Sequence, residues 1–111
     1  MLESTSSARI VVTTVVSAEE ATRIGHALVE ERLAACVTQF PPIHSIYRWH
    51  DQIESSAETM MLIKTSLDQL PGLEVRLREL HSYETPEFLV LPVESGSRAY
   101  LSWLQASMRP A

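Results

Sequence analysis

The chain has 111 residues and a formal net charge of −5, with 9 Lys and Arg against 14 Asp and Glu. That length suits one domain with a modest core. An acidic balance without a basic run argues against nucleic-acid binding, and no apolar run approaches the ~18 residues that a membrane span needs.

Residues 1–8 (MLESTSSA) are rich in Ser and Thr and read as a flexible leader to a single domain over 9–109. The acid at Glu3 and the lack of an apolar stretch beside it argue against a secretory signal. The expected compartment is therefore the cytoplasm. Cys36 is the one cysteine; it cannot form an internal disulfide, which fits reducing surroundings.

The β-branched run RIVVTTVV (9–16) predicts a strand. Ser17 and Glu20 make the S-x-x-E signature of a helix start. Ala21, Ile24, Gly25, Leu28 and Val29 then share one face at helical spacing, which carries the helix to about Leu33. Residues 35–50 are rich in β-formers but contain Pro41-Pro42, so the spacing predicts a strand interrupted by a bulge or bend. Residues 50–53 (HDQI) suit a hairpin turn, and ETMMLIKTS (58–66) is the returning strand. A second helix presents Leu70, Leu73, Leu77 and Leu80, with Ser66 or Asp68 as cap and Pro71 in or near its first turn. FLVLPVES (88–95) is the last main strand. Ser97 caps a short C-terminal helix that carries Tyr100, Leu101, Trp103 and Leu104.

The order β-α-β-β-α-β plus a helix predicts an α+β, ferredoxin-like sandwich with both helices on one face of an antiparallel sheet. Strand side chains alternate between faces. The last strand puts Phe88, Val90 and Pro92 on one side and Leu89, Leu91 and Val93 on the other; the third puts Met61 and Ile63 on one side and Met60 and Leu62 on the other. Both faces are apolar, although helices cover only one. Such a patch is larger than soluble monomers usually expose, so the chain is expected to oligomerise.

Six stretches, ERLAACV (31–37), SIYRW (45–49), LIKT (62–65), HSYETPE (81–87), LVLPV (89–93) and YLSWL (100–104), together resemble the CutA family of divalent-ion tolerance proteins. The resemblance runs from about Ile10 to Met108. It implies a tight trimer whose sheets pack around a threefold axis, and kinship in shape with PII-type signalling trimers, which bind small ligands between subunits. Three departures stand out. Ser82 replaces the first proline of H-P-Y-E-x-P-E. The hairpin W-x-G-K reads Trp49-His50-Asp51-Gln52. Of the copper ligands credited to bacterial members, Thr13 and Leu80 replace two, and His81 alone is kept.

His81 ends the second helix, where a histidine can cap carbonyls, and it is also the first candidate metal ligand. Cys36 is a second candidate, although a free cysteine is commonly a small buried apolar residue; its thiolate would need an electropositive neighbour. Further donors within the chain are His44, His50, Glu84 and Glu87; no two show the spacing of a ligand pair on one element, which leaves a set completed across subunits as the alternative. The polar residues around Pro86 read as the lip of an intersubunit cleft formed by Tyr47, Trp49, Lys64, Tyr83, Glu84 and Glu87. Lys64, the only lysine, either pairs with a carboxylate or guards a strand end, or supplies that cleft with positive charge. No catalytic motif accompanies them.

The expected function is thus a non-enzymatic cytoplasmic homotrimer linked to divalent-ion tolerance, with weak binding of copper or another divalent metal. The alternative is a PII-like sensor that binds a small anionic metabolite in the cleft and signals to an unidentified partner protein.

Overall fold

β-Branched residues are stiff at χ1 and pack well on a pleated surface, so the run at 9–16 is where the sheet begins. The structure, a computed structural model, describes residues 1–110. Its elements are β1 (Leu2–Ser4), β2 (Ala8–Val15), α1 (Ala18–Glu30), β3 (Cys36–Gln39), β4 (Ile43–Trp49) and β5 (Gln52–Ser66). A 3₁₀ turn (Leu67–Gln69) leads into α2 (Leu70–Leu80), followed by β6 (Leu89–Pro92), β7 (Ser95–Ser97) and α3 (Arg98–Ser107).

Five strands form an antiparallel sheet in the order β3-β5-β2-β6, with β4 also paired to β5. This is the expected ferredoxin-like arrangement. β3 pairs with Met61–Lys64 of β5, whereas β4 pairs with Gln52–Glu58. The break between β3 and β4 falls at Phe40–Pro42, because proline has no N–H to give to a ladder. β5 is longer than the expected 58–66: its first half runs out with β4 as a two-stranded arm. The arm turns on two residues, His50 and Asp51, whose φ values of 49° and 64° are both positive. Those angles match the two-residue I′ turn of a tight hairpin, here made without glycine.

The caps follow the sequence. The Ser17 hydroxyl accepts from the Glu20 N–H at 3.1 Å, and Ser97 does the same for Tyr100 at 3.2 Å. Pro71 lies in the first turn of α2, and no side chain caps that helix. α1 stops at Glu30 rather than Leu33, because Arg32 takes the left-handed region (φ 61°) and ends the helical ladder.

One face of the sheet is packed. Val11, Val15, Met61 and Ile63 meet Ala21, Ile24 and Leu28 of α1 and Leu73 and Leu77 of α2. Each large side chain so buried contributes roughly 1.5–3 kcal/mol. The other face is not covered. Ile10, Val12, Met60 and Leu62 are only half-buried, while Leu89 and Leu91 are 57% and 47% exposed. α3 does not close this face. Its buried Leu104 and Met108, the residue that follows it, pack on Ala35, and the Met108 Sδ lies 3.7 Å from the Thr65 hydroxyl, on the helix side.

Two expectations need correction. The leader is not wholly free: Leu2–Ser4 pair antiparallel with Ser95–Ser97, and Glu3 meets the Arg98 guanidinium at 2.6 Å. The last strand is not continuous over 88–95 either; it divides into β6, on β2, and β7, on β1.

Thr13 lies in the packed face with no exposed surface, and its hydroxyl has no hydrogen-bond partner. A buried unsatisfied hydroxyl costs about 1–3 kcal/mol. Thr13→Val should therefore raise unfolding stability by about 1 kcal/mol, read from guanidinium denaturation at fixed protein concentration. A loss of stability would show that the hydroxyl has found a partner.

Candidate functional site

Alternation along β4 puts Ser45, Tyr47 and Trp49 on one side of the arm. The same parity on β5 gives Glu58, Met60, Leu62 and Lys64, so the arm's polar side continues the uncovered face of the sheet. The segment after α2 closes the space. Together Thr14, Ser45, Ile46, Tyr47, Trp49, Glu58 and residues 82–85 and 87 line a cleft of about 760 Å³. That is within the range of small-molecule pockets, roughly 300–1,000 Å³.

The 82–85 segment is held by a clasp on the start of α1. Glu20 is only 5% exposed, and its carboxylate accepts from the Ser82 N–H at 2.8 Å and the Ser82 hydroxyl at 2.9 Å. The S-x-x-E signature thus delivers the Ser17 cap, but Glu20 turns away to Ser82 instead of back to the cap. A proline at position 82, as in the pattern this chain departs from, could give neither bond. His81, at the end of α2, completes the clasp. Its Nε2 lies 2.9 Å from the Thr14 carbonyl, and its Nδ1 accepts from the Tyr83 N–H at 3.1 Å. These partners assign the proton to Nε2, which donates to the carbonyl.

Tyr83 then reaches into the cleft. Its hydroxyl donates to Glu58 Oε2 at 2.6 Å. Burial, reinforced by this bond and by the Glu58 charge, pushes the Tyr83 pKa well above its ordinary value. Glu87 is also raised, chiefly by burial and then by the charge of Glu58. Tyr47 is tied to Ser56 by a 2.7 Å hydroxyl–hydroxyl bond.

Of the six residues expected at the cleft, Tyr47, Trp49, Tyr83, Glu84 and Glu87 line it. Lys64 does not. It lies six residues along β5 from Glu58, roughly 20 Å in an extended strand, and its Nζ sits 3.3 Å from the Thr38 hydroxyl and 3.8 Å from Cys36 Sγ. Among the described residues of one chain, no Lys or Arg side chain lines the cleft. The two metal candidates are apart as well. Both nitrogens of His81 are committed to the backbone, and Cys36 sits beside Lys64 on the uncovered face. Among the described residues no three His, Cys, Asp or Glu side chains converge as a metal site.

Glu58, Glu20 and Thr14 were missed from the sequence. Glu58 left one signal: by parity it stands in the same row as Met60 and Leu62, an acid on an apolar strand.

These features define a class: a ferredoxin-like chain with an acidic, aromatic-walled cleft beside an uncovered apolar sheet face. Residues 9–107 match the CutA1 family, described as the CutA1 divalent ion tolerance protein. The chain belongs to that family. It is 46% identical over 96 residues to the divalent-cation tolerance protein CutA of Thermus thermophilus, covering 86% of this chain and 93% of that one. It is 40% identical to the CutA structure from Synechococcus elongatus, with a TM-score of 0.94 over 98% of this chain and 96% of that one. A structure from Archaeoglobus fulgidus, titled a periplasmic divalent cation tolerance protein, is 34% identical with a TM-score of 0.89, over 92% and 99% of the two chains.

Tyr83 gives a pH prediction. A tyrosine whose pKa is raised by folding contributes stability that is whole below the ordinary value of 10.0 and is lost as pH climbs above it. Wild-type stability should fall from pH 9 to pH 11, by denaturant titration, more steeply than that of Tyr83→Phe. Equal slopes would mean that the Tyr83–Glu58 bond is not formed in solution.

Proposed function

We propose that this divalent-cation tolerance family member is a non-enzymatic homotrimer whose cleft takes up cations weakly. One observation carries the reading: Glu58, Glu84 and Glu87 line the cleft, and among the described residues no Lys or Arg lines it with them. Such a lining attracts cations and repels anions. The anionic-metabolite sensor therefore loses the chemistry it required.

The donor set qualifies the metal. Carboxylate oxygens suit hard divalent ions better than copper, which favours nitrogen and sulfur. The expectation of copper rests on family resemblance, and His81 has no free nitrogen to support it. Without three converging ligands, weak and unselective binding of divalent ions is the expected behaviour. The trimer is supported by the uncovered sheet face, whose apolar rows adjoin the cleft. The non-enzymatic reading is part of the same proposal and rests on the sequence, which carries no catalytic motif. Residence in the cytoplasm is part of the same proposal and rests on the free thiol of Cys36. No helix is long and apolar enough to cross a membrane among the described residues, and the acidic balance supports the absence of nucleic-acid binding. A protein partner remains part of the proposal, with its identity open to co-purification.

Isothermal titration of chelator-treated protein with Mn²⁺ and Cu²⁺ tests the reading. Binding should be weak, with dissociation constants of about 10⁻⁴ M or above, should fade as acid protonates the carboxylates, and should weaken in Glu84→Gln/Glu87→Gln. Undiminished binding by that variant, or none by wild type, would contradict it.

A further inference from the structure

Glu58 is 6% exposed, yet it meets no arginine or lysine among the described residues. Its Oε2 is held by the Tyr83 hydroxyl, while Oε1 has no hydrogen-bond partner among the described residues and is not sealed in the protein, so it stays open to the cleft. A carboxylate withdrawn from water normally has a countercharge, because burying it alone is costly. The cleft is where that countercharge can enter, since Glu58 forms part of its lining.

The size and walls of the cleft say what kind of cation fits. A bare metal ion needs several oxygen ligands converging at about 2.0–2.6 Å, and no such set of three forms here among the described residues. A volume of about 760 Å³ instead suits a small organic molecule. Tyr47 and Trp49, from the arm, and Tyr83, from the segment after α2, face this space with Glu58 and Glu87. Trp49 keeps 47% of its surface exposed. Aromatic faces attract an ammonium group through their quadrupole, tryptophan most strongly. They also take up the alkyl substituents that a metal ion lacks.

We infer that the cleft recognises a small organic ammonium ion, with Glu58 as the buried counter-charge and Tyr47, Trp49 and Tyr83 as the walls around its alkyl groups. This rests on the reading of the cleft as a cation site and names its ligand class. Binding sets the ammonium group against Glu58 Oε1, the oxygen that Tyr83 leaves free. Glu84 and Glu87, at the rim, raise the local concentration of cations but do not define the pocket.

The test uses the full chain in a Trp103→Phe background, so that fluorescence reports Trp49 alone. Tetramethylammonium chloride and 1,4-diaminobutane should each change the emission saturably. Neither tert-butanol, a neutral analogue of the first probe, nor sodium chloride at matched ionic strength should do so. Glu58→Gln keeps an acceptor for the Tyr83 hydroxyl and should weaken both ammonium probes by about tenfold or more, the usual scale for losing a buried charge partner. Should that variant lose its native circular dichroism, Glu87→Gln serves in its place and should weaken them about threefold. Absence of a saturable response in wild type would overturn the inference, as it would if a neighbouring subunit's own cation filled the cleft. A tert-butanol response equal to that of tetramethylammonium, or unchanged binding in the variants, would do the same. Divalent-ion binding measured alongside separates the two claims: if Mn²⁺ binds and the ammonium probes do not, the cation cleft stands and the ligand class assigned here falls.

Discussion

A sheet with two apolar faces and one layer of helices leaves a surface to be covered, and the rest of the structure is arranged around that constraint. α1 and α2 are spent on the face that holds Val11, Met61 and Ile63. α3 packs at the end of β5 against Ala35 and so leaves Leu62, Leu89 and Leu91 open. Contiguous apolar surface of this kind marks an interaction site. The trimer proposed above meets the need with copies of the same chain, which bring the same rows to each other by symmetry.

The cleft depends on the same sheet. β5 is one strand with two duties: its second half lies at the centre of the core, and its first half carries the arm. Glu58 sits where the two meet. Because side chains alternate, the face left bare over the core becomes the lined face of the cleft further along. The clasp among Glu20, His81 and Ser82 then sets Tyr83 over Glu58. This explains why so much polar chemistry crowds the approach to β6. Part of it, His81 and Ser82, holds the chain in place, while Tyr83, Glu84, Thr85 and Glu87 contribute to the lining of the cleft.

The periodic parts of the fold were legible in the residues. β-Branched runs, the Ser17 and Ser97 caps, Pro71 in a first turn and the proline break at 41–42 all act through local geometry, and each appears where its chemistry puts it. The two apolar faces were legible for the same reason, since strand parity needs no knowledge of partners. What failed was long-range. β1 and β7 carry Ser, Gly and Glu without alternation, and their pairing depends on chain ends 90 and more residues apart. Lys64 stands near the end of its strand, as its place in the apolar pattern indicated, but the strand's true start at Gln52 lies outside that pattern, so the length of the arm was not legible. Glu58 acquires its meaning from Tyr83, which follows 25 residues later. His81 was rightly placed at a helix end, but only the backbone around it shows that both ring nitrogens are already engaged.

Sedimentation velocity at micromolar concentration bears most directly on the claim that the bare sheet face is an interface between copies. The account predicts one species of about three times the 12.5 kDa chain mass, without dissociation on dilution across the micromolar range. A species of single-chain mass would contradict it, because the rows at Leu62, Leu89 and Leu91 would then face water.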